Sequence, residues 1–383
     1  MKKRNVFAFG GWIACATAVF CLTACGNNAT TTTTTDSSGT TTTSTEKKAG
    51  EIPNLKPTTP NPEWGKDIDD NMHVVLDKLA SYGDPPLETL SAPEARTKHT
   101  PTDAVMDVMK ENNIPMPPSM VDTMGKEIPV QGGSIHARIY TPKSGAGPFP
   151  LIVYYHGGGW VIATVDTYDG GARGLAEQTG AVVVSVEYRK GPEHKFPTAH
   201  NDAFAAYQWA LQNAASLKAD PKMVAVAGES AGGNMACNVS IMARDKGIQM
   251  PLRQVLVYPV ANSDMNDESY QKYGTAKPLN TPLIKWMVKN YLGDSTVAKD
   301  PRISLVNANL KGLPPTTIIG AEIDILQTEG KLLSDKLKDA GVDVNYKLYD
   351  GVTHEFFGMA TLLQDAKDAQ ALAASDLKSA FKK

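Results

Sequence analysis

The stretch at residues 223–233, Met-Val-Ala-Val-Ala-Gly-Glu-Ser-Ala-Gly-Gly, constrains the fold of this chain more than any other. Its apolar start reads as a buried strand, and the run from Asn234 to Arg244 repeats at helical spacing. Between them, Gly228-Glu-Ser230-Ala-Gly232 has the form G-x-S-x-G. On a strand-to-helix junction this form makes a sharp turn that lifts the serine hydroxyl clear of a sheet. The glycines flank the serine because larger side chains would clash, and the following helix favours developing negative charge at its N-terminus. A glycine-rich turn with an incidental serine is the bland alternative. It is disfavoured because strand, turn and helix stand in the order the motif requires.

The rest of the chain supplies a matching frame. Apolar strand patterns fall at 135–140, 150–155, 181–186, 255–258, 315–319 and 344–349. Helical patterns lie between them at 172–178, 202–215, 233–245, 329–340 and 362–381. Strands alternating with helices predict a mostly parallel central sheet with helices on both faces. Residues 264–292 interrupt the alternation with a helix at 282–291 that carries Trp286, Met287 and Tyr291. Upstream, residues 68–79 and 102–112 read as helices, the second with Val105, Met106 and Met109 facing inward. Five methionines lie between 106 and 124; they suit either ordinary packing or an adaptable apolar wall, packing being the simpler reading. The segments 64–124 and 264–292 are expected to form a helical cap over the carboxyl edge of the sheet, where such folds bind ligands.

The N-terminus has a different character. Lys2-Lys3-Arg4 precedes an apolar run ending in Leu22-Thr23-Ala24-Cys25, which resembles a bacterial lipobox. On that reading residues 1–24 are a lipoprotein signal peptide, and Cys25 is lipidated and anchors the chain to a membrane. Gly26 in place of aspartate favours an outer-membrane address in a host with two membranes. An uncleaved transmembrane anchor is the alternative. Residues 25–60, rich in Thr, Ser and Pro, are expected to be a disordered tether, and residues 61–383 to be the folded domain. Of four cysteines only Cys237 would remain free in the domain, which excludes an internal disulfide. A formal net charge of −3 without a basic stripe gives no sign of a nucleic-acid partner.

A second motif, His156-Gly157-Gly158-Gly159-Trp160, follows the strand at 150–155. Three glycines let the backbone come close to a ligand and aim N–H groups at it. In acyl transfer the amides of Gly157 and Gly158, with that of Ala231, would bind the tetrahedral oxyanion. Taken with Glu187-Tyr188-Arg189-Lys-Gly-Pro192-Glu193-His194-Lys-Phe196-Pro197, Ala321-Glu-Ile-Asp324 and His354, these residues resemble the hormone-sensitive-lipase-like family of α/β-hydrolases across about 65–380. Trp160, Lys190-Gly191 and Glu355 depart from it, the last standing where glycine is common.

The fold requires the order serine, acid, histidine. Asp324, Glu322 and Asp350 could each supply the acid; Asp324 matches the family position, and Asp350 is expected to cap the turn at Gly351. Of seven histidines only His354 follows both Ser230 and Asp324. The resemblance therefore implies a Ser230, Asp324, His354 triad in a serine carboxylesterase for short to medium acyl esters, working without metal or cofactor. An amidase or formamidase with the same triad is the alternative. A non-catalytic interaction module is disfavoured because all three triad members are present. The sequence is silent on oligomeric state.

Overall fold

The computed structural model describes residues 50–382 and, as backbone, the strand residues 30–35 and 41–46. The expected signal peptide at 1–24 and the expected lipidation site Cys25 lie outside the described residues. Among those described, no helix is long and apolar enough to cross a membrane. Strands β1 (Thr30–Thr35) and β2 (Thr41–Glu46) pair antiparallel where the composition predicts a disordered tether. Threonine's β-branch suits a strand, although a lone pair of strands carries little stability. At its other end the stretch expected to be a tether includes packed residues. Leu55 is buried, its N–H donates to Asn71 Oδ1, and Asn71 Nδ2 donates to the Pro53 carbonyl. Packing therefore begins ahead of residue 61.

Eight strands form the main sheet: β3 (Val121–Val130), β4 (Gly133–Pro142), β5 (Phe149–Tyr155), β6 (Val182–Glu187), β7 (Ala219–Glu229), β8 (Gln254–Val257), β9 (Thr316–Ile323) and β10 (Val344–Thr353). Their order is β10-β9-β8-β7-β5-β6-β4-β3. Six strands from β10 to β6 run parallel, and β4 and β3 extend the sheet antiparallel. Every residue of β5 from Leu151 and of β7 from Val224 is buried, so both faces are covered and the strands read as continuous apolar runs. Helices α4 (Asp169–Thr179) and α10 (Gln364–Phe381) pack together, as do α5 (Thr198–Asn213) and α6 (Ala231–Asp245), and α9 (Gln327–Asp339) lies on β9 and β10.

Strand β3 corrects the expected cap boundary at 124. Residues 121–124 belong to the sheet, with Val121 opposite Pro142 and Met124 opposite Ile139 on β4. The cap itself is built from α1 (Asp70–Ser81), α2 (Ala92–Ala95), α3 (Pro101–Glu111), α7 (Glu268–Tyr273) and α8 (Thr281–Leu292). Local chemistry fixes these helices. Asp69 caps α1 by accepting from Met72 N–H, and Thr100 and Asp103 close a capping box on α3 with Pro101 at its first turn. Asn280 caps α8, which ends at Gly293. Trp286 Nε1 donates to the Leu90 carbonyl at 3.1 Å and ties the two halves of the cap together. The methionines depart from expectation: Met109 is buried, but Met106, Met116, Met120 and Met124 are exposed. Val105 and Met109 are buried as expected, but α3 buries Ala104 and Val108 beside them in place of Met106.

Candidate active site

The carboxyl ends of β5, β7, β9 and β10 converge on one cavity. Ser230 sits between the end of β7 and the start of α6 with φ +56° and ψ −119°, a conformation that L-residues rarely adopt. The turn is locked from three sides: Ser230 N–H donates to the Val257 carbonyl at 2.8 Å, and the Ser230 carbonyl accepts from Asn234 and Val260. The flanking glycines are required by contact. A Cβ on Gly228 would overlap the Gly232 carbonyl, and one on Gly232 would overlap that of Tyr155. Ala231 opens α6 and is fully buried, so its amide stands at the helix N-terminus beside the serine.

Asp324 follows the last residue of β9. Its Oδ1 accepts from Leu326 N–H at 2.9 Å, and its Oδ2 lies 2.6 Å from His354 Nδ1. His354 follows the last residue of β10, and both side chains are almost fully buried. With Nδ1 held by the carboxylate, Nε2 is the nitrogen left for the cavity that Ser230 and His354 both line. Burial draws the imidazole pKa down, but the charge of Asp324 and its hydrogen bond outweigh this, and the net shift is above the ordinary 6.5. Neither rival acid contacts His354: one is engaged elsewhere and the other is exposed. Glu322 accepts from Gly351 N–H at 2.9 Å, so it takes the turn-capping part expected of Asp350, which is exposed.

The glycine loop after β5 lies against the serine. A Cβ on Gly157 would come 3.1 Å from Ser230 Cβ and would overlap Tyr168 Oη, while Gly158 has φ +89° and abuts the Ile162 carbonyl. Tyr188 fastens the loop by donating to the His156 and Gly157 carbonyls at 3.0 and 2.9 Å. His156 is buried against the Tyr188 ring, and burial pushes its pKa down to about 4, so it is neutral and structural. Gly157 thus lies against Ser230, Gly158 lines the same cavity, and Ala231 follows the serine at the start of α6. The cavity, of about 190 Å³, is closed above by cap residues including Leu87, Pro101, Leu279, Leu283, Ile284 and Met287.

Sequence reasoning missed a buried acid beneath the serine. Glu229 accepts hydrogen bonds from the hydroxyls of Tyr154 and Tyr258, and the Tyr258 ring packs against His354 with centroids 4.5 Å apart. Burial pushes the Glu229 carboxyl up to about 8, against the pull of the two hydroxyls. Its place in the G-x-S-x-G motif was visible, but its partners lie 75 and 29 residues away. Among the described residues no group of three or more His, Cys, Asp or Glu side chains is placed to hold a metal ion.

The His354 shift has a kinetic consequence. A general base must be neutral, so if His354 has the role the sequence implies, activity is lost as pH falls through its raised pKa. The acid limb of a kcat/KM profile is expected above pH 6.5 and should move down in Asp324→Asn. The stability term has the opposite sense. A raised folded pKa contributes stability below the unfolded value, which is lost as pH rises through the folded one. An acid limb at or below 6.5 in the unaltered protein would contradict the pairing.

A family model described as alpha/beta hydrolase fold matches residues 152–358. The chain is 39% identical over 256 residues to a carboxylic ester hydrolase, LipN, of Mycobacterium tuberculosis, covering 65% of this chain and 68% of that one. It is 32% identical over 241 residues to an ethyl acetate hydrolase of Pseudomonas putida, covering 62% and 76%. Among solved structures, a thermostable esterase from Pseudomonas putida superposes with a TM-score of 0.75 at 32% identity, covering 82% of this chain and 98% of that one. A hyperthermophilic esterase from Pyrobaculum calidifontis does so at 0.72 and 36%, covering 80% and 96%.

Proposed function

The chain belongs to the alpha/beta hydrolase fold family and is a carboxylic ester hydrolase, and from that premise we propose that it is a serine carboxylesterase for short to medium acyl chains. The observation that carries this reading is the 2.6 Å contact of His354 Nδ1 with Asp324 Oδ2 in a cavity that His354 shares with Ser230. On this reading His354 Nε2 takes the Ser230 proton as Oγ attacks the ester carbonyl carbon. The carbonyl oxygen becomes an oxyanion held by the amides of Gly157, Gly158 and Ala231. Collapse expels the alcohol, which receives the proton from His354 and leaves an acyl-serine. Water, deprotonated by the same imidazole, then releases the acid and restores Ser230. Asp324 holds the tautomer that makes both transfers possible.

The capped cavity supports the chain-length part of the reading. Each buried methylene is worth about 0.8 kcal/mol, so kcat/KM should rise with acyl length until the cavity is full. Beyond that, extra carbons must distort packed walls at a cost of about 1–3 kcal/mol. A p-nitrophenyl ester series is expected to peak at short to medium chains, with no jump when an emulsion interface is supplied. Activity that climbs steadily to long chains and jumps at the interface would make the protein a lipase instead. Matched amides run alongside would expose an amidase by a higher kcat/KM than the esters.

A further inference from the structure

Behind the catalytic cavity lies a second, larger one of about 690 Å³. Pro101, Thr167 and Glu355 line both, so these three residues stand between the two spaces. The wall of the second cavity is apolar at Met106, Ile114, Met116 and Met359 and charged at Asp169, Arg173, Glu177 and Lys367. Met106 and Met116 are two of the four large hydrophobic side chains left exposed among the described residues. Methionine is a flexible, polarisable wall that adapts to an alkyl chain.

Glu355 follows His354 directly, and its backbone has φ +74°, in the left-handed region that favours glycine. Its carboxylate accepts a hydrogen bond from the Tyr168 hydroxyl. That hydroxyl also crowds the oxyanion loop, since a Cβ on Gly157 would overlap it. A carboxylate and a phenol from elements 187 residues apart therefore bridge the loop that holds the oxyanion and the loop that holds the base. A carbonyl oxygen held at Gly157 would therefore sit next to the Tyr168 hydroxyl of this bridge.

We propose that Glu355 is a specificity-determining wall, which with Tyr168 closes the catalytic cavity against the methionine-lined one and so sets the longest acyl chain the site accepts. The inference rests on the reading of Ser230 and His354 as the reacting pair. The wall acts in two ways. It fills the passage between the cavities, and it presents a polar face that an apolar chain must desolvate to pass. With the side chain gone, the passage opens onto apolar surface, and each further methylene buried there strengthens binding.

The test compares Glu355→Gly, Glu355→Gln and Tyr168→Phe with the unaltered full chain on p-nitrophenyl butyrate and dodecanoate. The readout is the ratio of the two kcat/KM values within each protein, normalised by active-site titration with a fluorophosphonate. Glycine suits the backbone at 355 and removes the wall, so the dodecanoate-to-butyrate ratio should rise at least about tenfold, the equivalent of burying about two more methylenes. Tyr168→Phe frees the carboxylate and should shift the ratio in the same direction by less. Glu355→Gln keeps the bulk and the acceptor and should stay within about threefold of the parent, since the blocking volume is retained. A parent-like ratio in Glu355→Gly, or an equal rise in Glu355→Gln, overturns the wall. Loss of labelling at Ser230 in the unaltered protein would instead overturn the underlying assignment of the nucleophile. If Glu355→Gly titrates too poorly to measure, the Tyr168→Phe ratio decides, and a parent-like value there overturns the proposal.

Discussion

Ser230→Ala is expected to fold normally and to lose at least about 10³-fold in kcat toward esters, because members of such a triad act as a unit. Alanine keeps the Cβ and the backbone contacts that lock the turn, so its melting temperature should stay near the parent's. The strained backbone gives a second arm to the experiment. At φ +56° a side chain costs free energy that glycine avoids, so Ser230→Gly should lose the same activity while gaining about 1 kcal/mol in stability. Kinetics with p-nitrophenyl acetate and thermal melts of the three proteins make the comparison. Near-parental turnover in Ser230→Ala would remove Ser230 from the chemistry.

Asp324→Asn is expected to lower kcat about 10⁴-fold, the loss typical when this change leaves the geometry intact but presents the wrong tautomer to the serine. Burial sharpens the effect, since it keeps bulk water from replacing the carboxylate that His354 Nδ1 contacts at 2.6 Å. Two companion variants isolate it. Asp350→Asn changes an exposed side chain and should leave kcat within about twofold, as surface substitutions away from special contacts do. Glu322→Gln weakens the bond to Gly351 N–H and should cost about 1 kcal/mol of stability, with little change in chemistry. Equal kinetic losses in Asp324→Asn and Glu322→Gln would leave the acid unassigned.

Those two acids show where sequence reasoning reaches its limit. Glu322 and Asp324 are two residues apart, so strand alternation places them on the same face and cannot choose between them. The choice is made where β9 stops at Ile323: the chain turns, Leu326 N–H engages Asp324, and the carboxylate swings to His354. The methionines mark a similar limit. Helical spacing allowed Met106 to face inward with Met109, but the neighbours that α3 packs against decided otherwise. Strand β3 was missed because its burial pattern is mostly exposed, which leaves no alternation of apolar residues to read.

What is local, or a matter of order along the chain, is legible in the residues. Strand–turn–helix at 223–244, the glycines that such a turn needs, the glycine loop after β5 and the order serine, acid, histidine are all properties of near neighbours or of succession. The turn and the glycine loop rest on local steric rules, while the order serine, acid, histidine is what the family resemblance implies. What depends on distant partners and on the removal of water emerges only with folding. Folding set Glu229 between Tyr154 and Tyr258, gave the turn-capping part to Glu322, and brought Glu355 to Tyr168 across 187 residues. The raised pKa of His354 belongs with these, because it is the balance of burial against a carboxylate 30 residues earlier in the chain, and neither exists until the sheet has formed.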